Sequence, residues 1–321
     1  MILAGDIGGT KTNLALFGDG FSMRTEKSYP SREHAALEEI VRAFLAETGA
    51  RPERAAFGIA GPVVAGRCRT TNLPWTVDSC ELAKEIGLPS VGLLNDLEAT
   101  AWGIAGLAPA DLVTLNEGAA GAVGNRAVIA AGTGLGEAGL YWDGSRHLPF
   151  ACEGGHTGFS PEDDLEIDLL RYLRAIHGRV SWERIVSGPG LHGIYSFLRD
   201  TGRAAESPGV AARMKVENPP AVISHCAFDG SDPLSVQALD MFVRLYGAET
   251  GNLALKMMAV GGVYVGGGIA PRILPSLQTG SFMDAYAAKG RMGPLVLSMP
   301  VRIILNDRTA LIGAARFAAQ S

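Results

Sequence analysis

Cysteine is scarce and scattered: four in 321 residues, at Cys68, Cys80, Cys152 and Cys226. No C-x-x-C pair occurs, so neither a zinc site nor a disulfide framework is supported. Reduced thiols in a cytoplasmic protein are the simplest reading. No stretch of about 18 apolar residues exists, so no helical membrane span is expected. Nothing basic and apolar precedes Ile2-Leu3-Ala4-Gly5-Asp6, so no secretory signal is expected either. The 28 Lys and Arg do not outnumber the 33 Asp and Glu, and none form a stripe. That argues against a nucleic-acid surface, which needs clustered cations to displace counterions. The six histidines lack ligand spacing, so no protein-bound transition metal is expected. The absence of G-x-S-x-G removes the usual signature of a serine nucleophile.

Glycine, by contrast, is abundant. The 42 glycines have no collagen-like period and gather in clusters, in a chain that is 47% apolar and 19% charged. Such a composition supplies a large core, and the length suggests roughly two domains. The centre of the pattern is Ser90-Val91-Gly92-Leu93-Leu94-Asn95-Asp96. A buried strand there runs into a helical pattern at Leu97, Ala101 and Ile104, leaving Asn95 and Asp96 at the strand's carboxyl end. Ligands bind at that edge of open α/β sheets. The competing reading makes Asp96 a simple helix N-cap.

Ahead of it, residues 2–6 form a strand into Asp6-Ile7-Gly8-Gly9-Thr10-Lys11-Thr12, and a second strand returns from Leu14. Gly8 and Gly9 leave backbone amides open to an anion. Thr10 and Lys11 add a hydroxyl and a cation, and Asp6 is placed to hold a water of Mg²⁺. A helix is expected over 34–48, a strand over 55–60, and a helix capped by Asp78 and closed by Gly87. Residues 126–131 form another strand, broken at Gly132-Thr133-Gly134-Leu135-Gly136 and returning through Trp142. Two hairpins with Gly-Thr tips, one in each half, suggest a nucleotide held between domains.

Glu153-Gly154-Gly155-His156 follows. A helix is expected from Ser160, a short one over 181–185 containing Glu183, and a rigid turn at Ser187-Gly188-Pro189-Gly190. Residues 203–220 read as an exposed connection, and a long helix runs from about 232 to 258. A strand then ends at Gly266-Gly267-Gly268, with Ile269 opening a helix where a base or ribose can approach backbone. A strand over 301–305 and a helix over 309–319 close the pattern.

Asp6-Ile7-Gly8-Gly9-Thr10, Leu94-Asn95-Asp96, Gly132-Thr133-Gly134-Leu135-Gly136, Glu153-Gly154-Gly155-His156, Ser187-Gly188-Pro189-Gly190 and Gly266-Gly267-Gly268-Ile269 occur in this order. Together they resemble bacterial glucokinases of the hexokinase-like, actin-like ATPase superfamily. The resemblance implies an α/β fold: two actin-like (ribonuclease H-like) domains with a central cleft. The small one would comprise 1–106 plus 298–321, the large one 107–297. It implies glucose in the cleft, ATP with Mg²⁺ at the hairpin tips, a homodimer, and no membrane or nucleic-acid partner. Carried over by motif, Asp96 is the general base and Asn95 binds a neighbouring hydroxyl. Glu153 and His156 grip hydroxyls near the anomeric carbon, and Glu183 is a further sugar contact. Gly8 to Lys11 and Gly132 to Gly134 hold phosphates, and Gly266 to Ile269 line the adenosine.

No cysteine-rich zinc motif follows His156, which favours the zinc-free branch. Glu137 and Lys11 depart from the family pattern, which has an apolar residue and an asparagine there. A same-fold kinase for fructose, mannose or an amino sugar is the alternative, since hexose discrimination depends on cleft shape. A non-catalytic sugar sensor would need a DNA-reading module, and none is read in this sequence.

Overall fold

Small and apolar residues at strand spacing build the first sheet. The computed structural model describes residues 1–70 and 72–320. Thr71 and Ser321, both inside the ranges expected for the small domain, lie outside the described residues. Strands β1 (Ile2–Ile7), β2 (Lys11–Phe17), β3 (Met23–Pro30) and β4 (Arg54–Ile59) are followed by three short ones, β5 (Val63–Val64), β6 (Arg67–Arg69) and β7 (Thr76–Asp78), then β8 (Gly92–Asn95). The main sheet has the order β3-β2-β1-β4-β8, and β5 to β7 pair among themselves. Strands β1, β4 and β8 are parallel, and Ile7, Ile59 and Asn95 stand level in the register. The carboxyl ends of three strands therefore finish at one edge.

The two faces of this sheet bury different residues. Leu3, Ile7, Leu14, Leu16 and Phe57 pack under α1 (Leu37–Thr48) and α2 (Ser79–Ile86). Ala4, Ala15 and Ala56 lie on the opposite face, beneath α3 (Asp96–Gly103) and the C-terminal helix. Alternation sorts the two sets, because successive strand side chains point to opposite faces. Large residues on one face fill the space under α1, while alanines on the other let helices come close. Truncating a fully buried phenylalanine such as Phe57 would cost about 3–5 kcal/mol.

The second sheet repeats the plan. Its strands are β9 (Leu112–Asn116), β10 (Arg126–Ala131), β11 (Leu135–Trp142), β12 (His147–Cys152), β13 (Gly262–Gly266) and β14 (Val301–Ile304), in the order β12-β11-β10-β13-β14-β9. Strands β10, β13 and β14 are parallel, and β10 with β11 forms the second glycine-tipped hairpin. Helices α4 (Asp164–His177), α5 (Gly188–Asp200), α6 (Pro208–Met214), α7 (Pro219–Phe228), α8 (Pro233–Met257), α9 (Leu274–Leu277), α10 (Ser281–Ala287) and α11 (Gly293–Leu297) lie between β12 and β14, interrupted by β13, and α12 (Thr309–Ala318) ends the order. The long α8 is buried on most sides, against α5, α7, α10 and β10.

By contacts the chain divides into two units. One comprises Met1–Asp111, Pro149–Ala151 and the chain from Asn306 on; the other comprises Leu112–Leu148 and Cys152–Leu305. The return to the smaller unit comes at Asn306 rather than at 298, because Val301–Ile304 pairs between β13 and β9. Only α12 belongs with the first sheet, where Leu311, Ala314 and Ala315 pack against Ala4, Ala56 and Ala99.

Other boundaries also move. The helix expected from Ser160 starts at Asp164, because Asp163 caps it by accepting from Glu166 N while Glu162 N donates to Glu166 Oε2. The rigid turn at 187–190 is the first turn of α5, with Ser187 Oγ accepting from Gly190 N. The expected connection over 203–220 contains α6, and after Gly268 the chain runs in turns until Leu274. Strands β9 and β12 arise where none were expected. Strand β9 is held by nonlocal pairing with β14, and β12 by a hairpin with β11 whose turn Asp143 N closes by donating to Arg146 O; such short polar-bearing segments do not announce either pairing.

Candidate functional site

At the edge of the first sheet, Asn95 is the N-cap of α3. Its Oδ1 accepts from Leu97 N at 2.9 Å and Glu98 N at 3.4 Å, and its Nδ2 donates to Gly61 O at 3.2 Å. The capping job weighed for Asp96 therefore belongs to its neighbour. Asp96 is the first residue of the helix, with Oδ1 also accepting from Leu97 N at 2.9 Å. Its charge is felt at buried Cys68, where burial first and Asp96 second hold the thiol above its usual range. With its carbonyl oxygen and one N–H engaged, Asn95 retains one amide hydrogen for a ligand.

Because β1 and β8 end level, the tip after Asp6 lies at the same sheet edge as Asp96. Asp6 is pushed up to about 6 by burial, opposed by a hydrogen bond with Asn13, its cross-strand partner. Gly8 N donates to Lys11 O at 2.9 Å and so closes the turn. A bound anion would then meet the amides of Gly9 and Thr10 rather than that of Gly8. Ser31 braces the tip: its Oγ donates to Gly8 O at 2.8 Å and its N to Thr10 O at 3.0 Å. Nothing local in the sequence marks Ser31, since its partners are about twenty residues away.

In the other unit, Gly132, Thr133 and Gly134 form the tip between β10 and β11, closed by Gly132 N donating to Gly134 O at 2.8 Å. Gly188 N donates to Gly132 O at 2.8 Å, so the start of α5 is tied to this tip. Ile269 N donates to Ala131 O at 3.2 Å, bringing Gly266, Gly267, Gly268 and Ile269 to the same edge. A cavity of about 230 Å³ opens beside Thr133, lined also by Glu183, Ser187, Pro189 and His192. Gly188 sat in a recognised motif, but its attachment to the tip needed the fold.

Glu153, His156 and Glu183 also come together in this unit. His156 Nε2 is 3.9 Å from Glu153 Oε2, and His156 Nδ1 is 3.9 Å from Glu183 Oε1. Glu183 Oε2 accepts from Leu135 N at 3.1 Å, which fixes it beside Gly134. The turn 153–156 lies flat on β11: a Cβ at Gly155 would overlap Leu135 O, and one at Gly154 would overlap Glu137 Oε2. That close approach is the physical reason for two glycines between the acid and the histidine. Their partly exposed side chains offer several acceptors and an imidazole within one small area, which suits a polyhydroxyl ligand.

Among the described residues, no group of three or more His, Cys, Asp or Glu is arranged to hold a metal, and no helix is long and apolar enough to cross a membrane.

Two α/β units, each offering a glycine-closed hairpin tip at the carboxyl edge of parallel strands, define an actin-like sugar-kinase fold. The glucokinase family model matches residues 3–321. A curated glucokinase from Nostoc sp. (strain PCC 7120) is 45% identical, over 100% of this chain and 99% of that protein. One from Synechocystis sp. (strain PCC 6803) is 41% identical, over 99% and 98%. The crystal structure of a glucokinase from an Antarctic psychrotroph superposes with a TM-score of 0.85 at 30% identity, covering 100% of this chain and 99% of that one. The chain belongs to the glucokinase family.

Proposed function

We propose that this chain transfers the γ-phosphoryl group of ATP to the 6-hydroxyl of glucose, with Asp96 as general base. Family membership carries the reaction. The observation that carries the base is the division of labour at the start of α3: Asn95 takes the cap, and Asp96 stands at the sheet edge that also bears the Gly9–Thr10 tip. A sugar hydroxyl is a poor nucleophile. A carboxylate within reach orients it and takes its proton as the phosphoryl group arrives. Glu153, His156 and Glu183 grip the sugar hydroxyls, with Asn95 donating its remaining amide hydrogen. The Gly9–Thr10 and Thr133–Gly134 amides receive phosphate oxygens, Lys11 adds a cation, and Gly266 to Ile269 line the adenosine.

Mg²⁺ enters this reading as the ion that accompanies ATP and neutralises phosphate charge. The residues fit an ion that keeps its waters: Asp6 is a single carboxylate beside an amide tip, and among the described residues no group of three or more ligating side chains surrounds it. The resemblance also supports a cytoplasmic homodimer, tested by sedimentation of the purified chain.

A coupled assay with Mg²⁺–ATP and a panel of hexoses tests the function. Strong preference for glucose is expected. Activity confined to fructose, mannose or an amino sugar would keep the base and the tips and overturn the substrate.

A further inference from the structure

Glu137 is an acid on β11 where burial leaves it only 1% exposed. Burial pushes it up to about 8, and neighbouring Glu249 adds to the rise. Among the described residues, the charged or titratable groups that bear on it come from two places. Tyr246, Glu249 and Lys256 approach from α8, and Cys152 from the end of β12. Glu249 is itself fully buried, and its oxygens accept from Lys256 Nζ at 3.1 Å and Asn252 Nδ2 at 2.8 Å. Glu137 Oε1, in contrast, has no donor, although it is buried. As a carboxylate that oxygen could only accept, and would stand orphaned beside a second carboxylate. As a neutral acid, Glu137 donates to Glu249 and the pair is satisfied. Its other oxygen, Oε2, is the atom on which Gly154 rests.

We propose that Glu137 is a positioning residue for the sugar-gripping turn: shared as a neutral acid with Glu249, it supports Gly154 and so sets Glu153 and His156. The inference rests on reading residues 153–156 as the sugar grip. When Glu137 loses its proton, two carboxylates face each other against one lysine. Glu137 then moves from Glu249, and Gly154 follows. Glucose is gripped less well at alkaline pH, while proton removal by Asp96 is touched less, so KM rises more than kcat falls.

The test measures glucose KM and kcat from pH 6.5 to 9.5. For the native chain, KM is expected to rise at least about threefold across pH 8, the scale of one poorly made hydrogen bond. Glu137→Gln, which stays neutral and donates to Glu249, should flatten this profile. Glu249→Gln removes the like charge and should move the rise to lower pH, and it serves if Glu137→Gln fails to fold. Thermal unfolding gives a second readout. A folded-state value above the unfolded one for an acid means that stability falls as pH rises from about 4.5 to about 8 and is level above. Glu137→Gln should abolish the part of that fall above about pH 6, where Asp6 no longer contributes.

Glu153→Ala and Glu183→Gln separate the two ways of failing. If neither raises glucose KM, the sugar-grip reading is wrong and the proposal falls with it. If they do raise it, while native KM stays flat to pH 9.5 or Glu137→Gln rises just as the native chain does, Glu137 does not position the turn.

Discussion

The two glycine-tipped hairpins are built alike and equipped differently. In each, the amide of the first glycine is spent closing the turn: Gly8 N on Lys11 O, Gly132 N on Gly134 O. In each, the tip ends a strand of a parallel set. The first tip has an acid directly before it, Asp6, and Asp96 at the end of a parallel strand two places along the sheet. The second has only apolar and small residues before it, and its acids, Glu183 and Glu137, approach from the side or from behind. On the reading proposed above, one hairpin scaffold serves two purposes: acids at the strand ends of the first edge would handle cations and protons, and acids beside and behind the second would position a ligand.

The sharpest way to break this comparison is to exchange the acids' charges for amides and ask which constant moves. Asp96→Asn should lower kcat at least about a hundredfold, the low end for loss of a general base, with glucose KM little changed. Glu183→Gln should instead raise glucose KM about tenfold, through one lost charged hydrogen bond, with a smaller effect on kcat. A comparable kcat loss in both variants would erase the distinction.

Next in size is a contrast between glycines. Gly154→Ala forces a methyl into Glu137 and should cost about 2 kcal/mol of unfolding free energy. Gly132→Ala meets no atom within 4 Å and should leave folding stability within about 0.5 kcal/mol. Urea titration of the two variants decides it, and equal losses would mean that the turn does not lean on β11.

The smallest effect concerns Asp6. Its folded-state value, about 6, lies above its ordinary 3.8, so the folded chain binds the proton more tightly than the unfolded one. Asp6 therefore contributes a fall in stability as pH rises from about 4 to about 6, by about 1.5 kcal/mol for a partly exposed group, and nothing further above, where the fall due to Glu137 continues. Asp6→Asn should remove Asp6's share of the slope in unfolding curves taken across the window, leaving the share of Glu137. An unchanged slope would mean that Asp6 is solvated like any surface acid, and the contrast between the two hairpin edges would lose one of its terms.

Much of the site was legible because its signals are local. The strand-to-helix junction at Asn95–Asp96, the Gly-Thr tips and the Asp78 cap each lie within a few residues, and local backbone chemistry decides them. A misplacement came where a local preference met a competitor: the helix expected from Ser160 begins after Asp163, whose side chain reaches a free amide of its first turn, Glu166 N. At α3 the competing cap reading is settled by reach too, in favour of Asn95.

The sequence by itself determined which residues are acids, amides and glycines, in what order, and which strands run into which turns. Those features rest on side-chain chemistry and short-range periodicity, and six motifs in register were enough to place the family. Only the tertiary structure decided that Ile7, Ile59 and Asn95 finish level, that Ser31 braces the first tip and Gly188 the second, that β14 belongs to the larger sheet, and that Glu137 lies beneath Gly154 against Glu249. Each of these joins residues far apart in the chain. Their proximity is fixed by which strands pair and which helices cover them, and burial among those partners sets the charge of an acid such as Glu137.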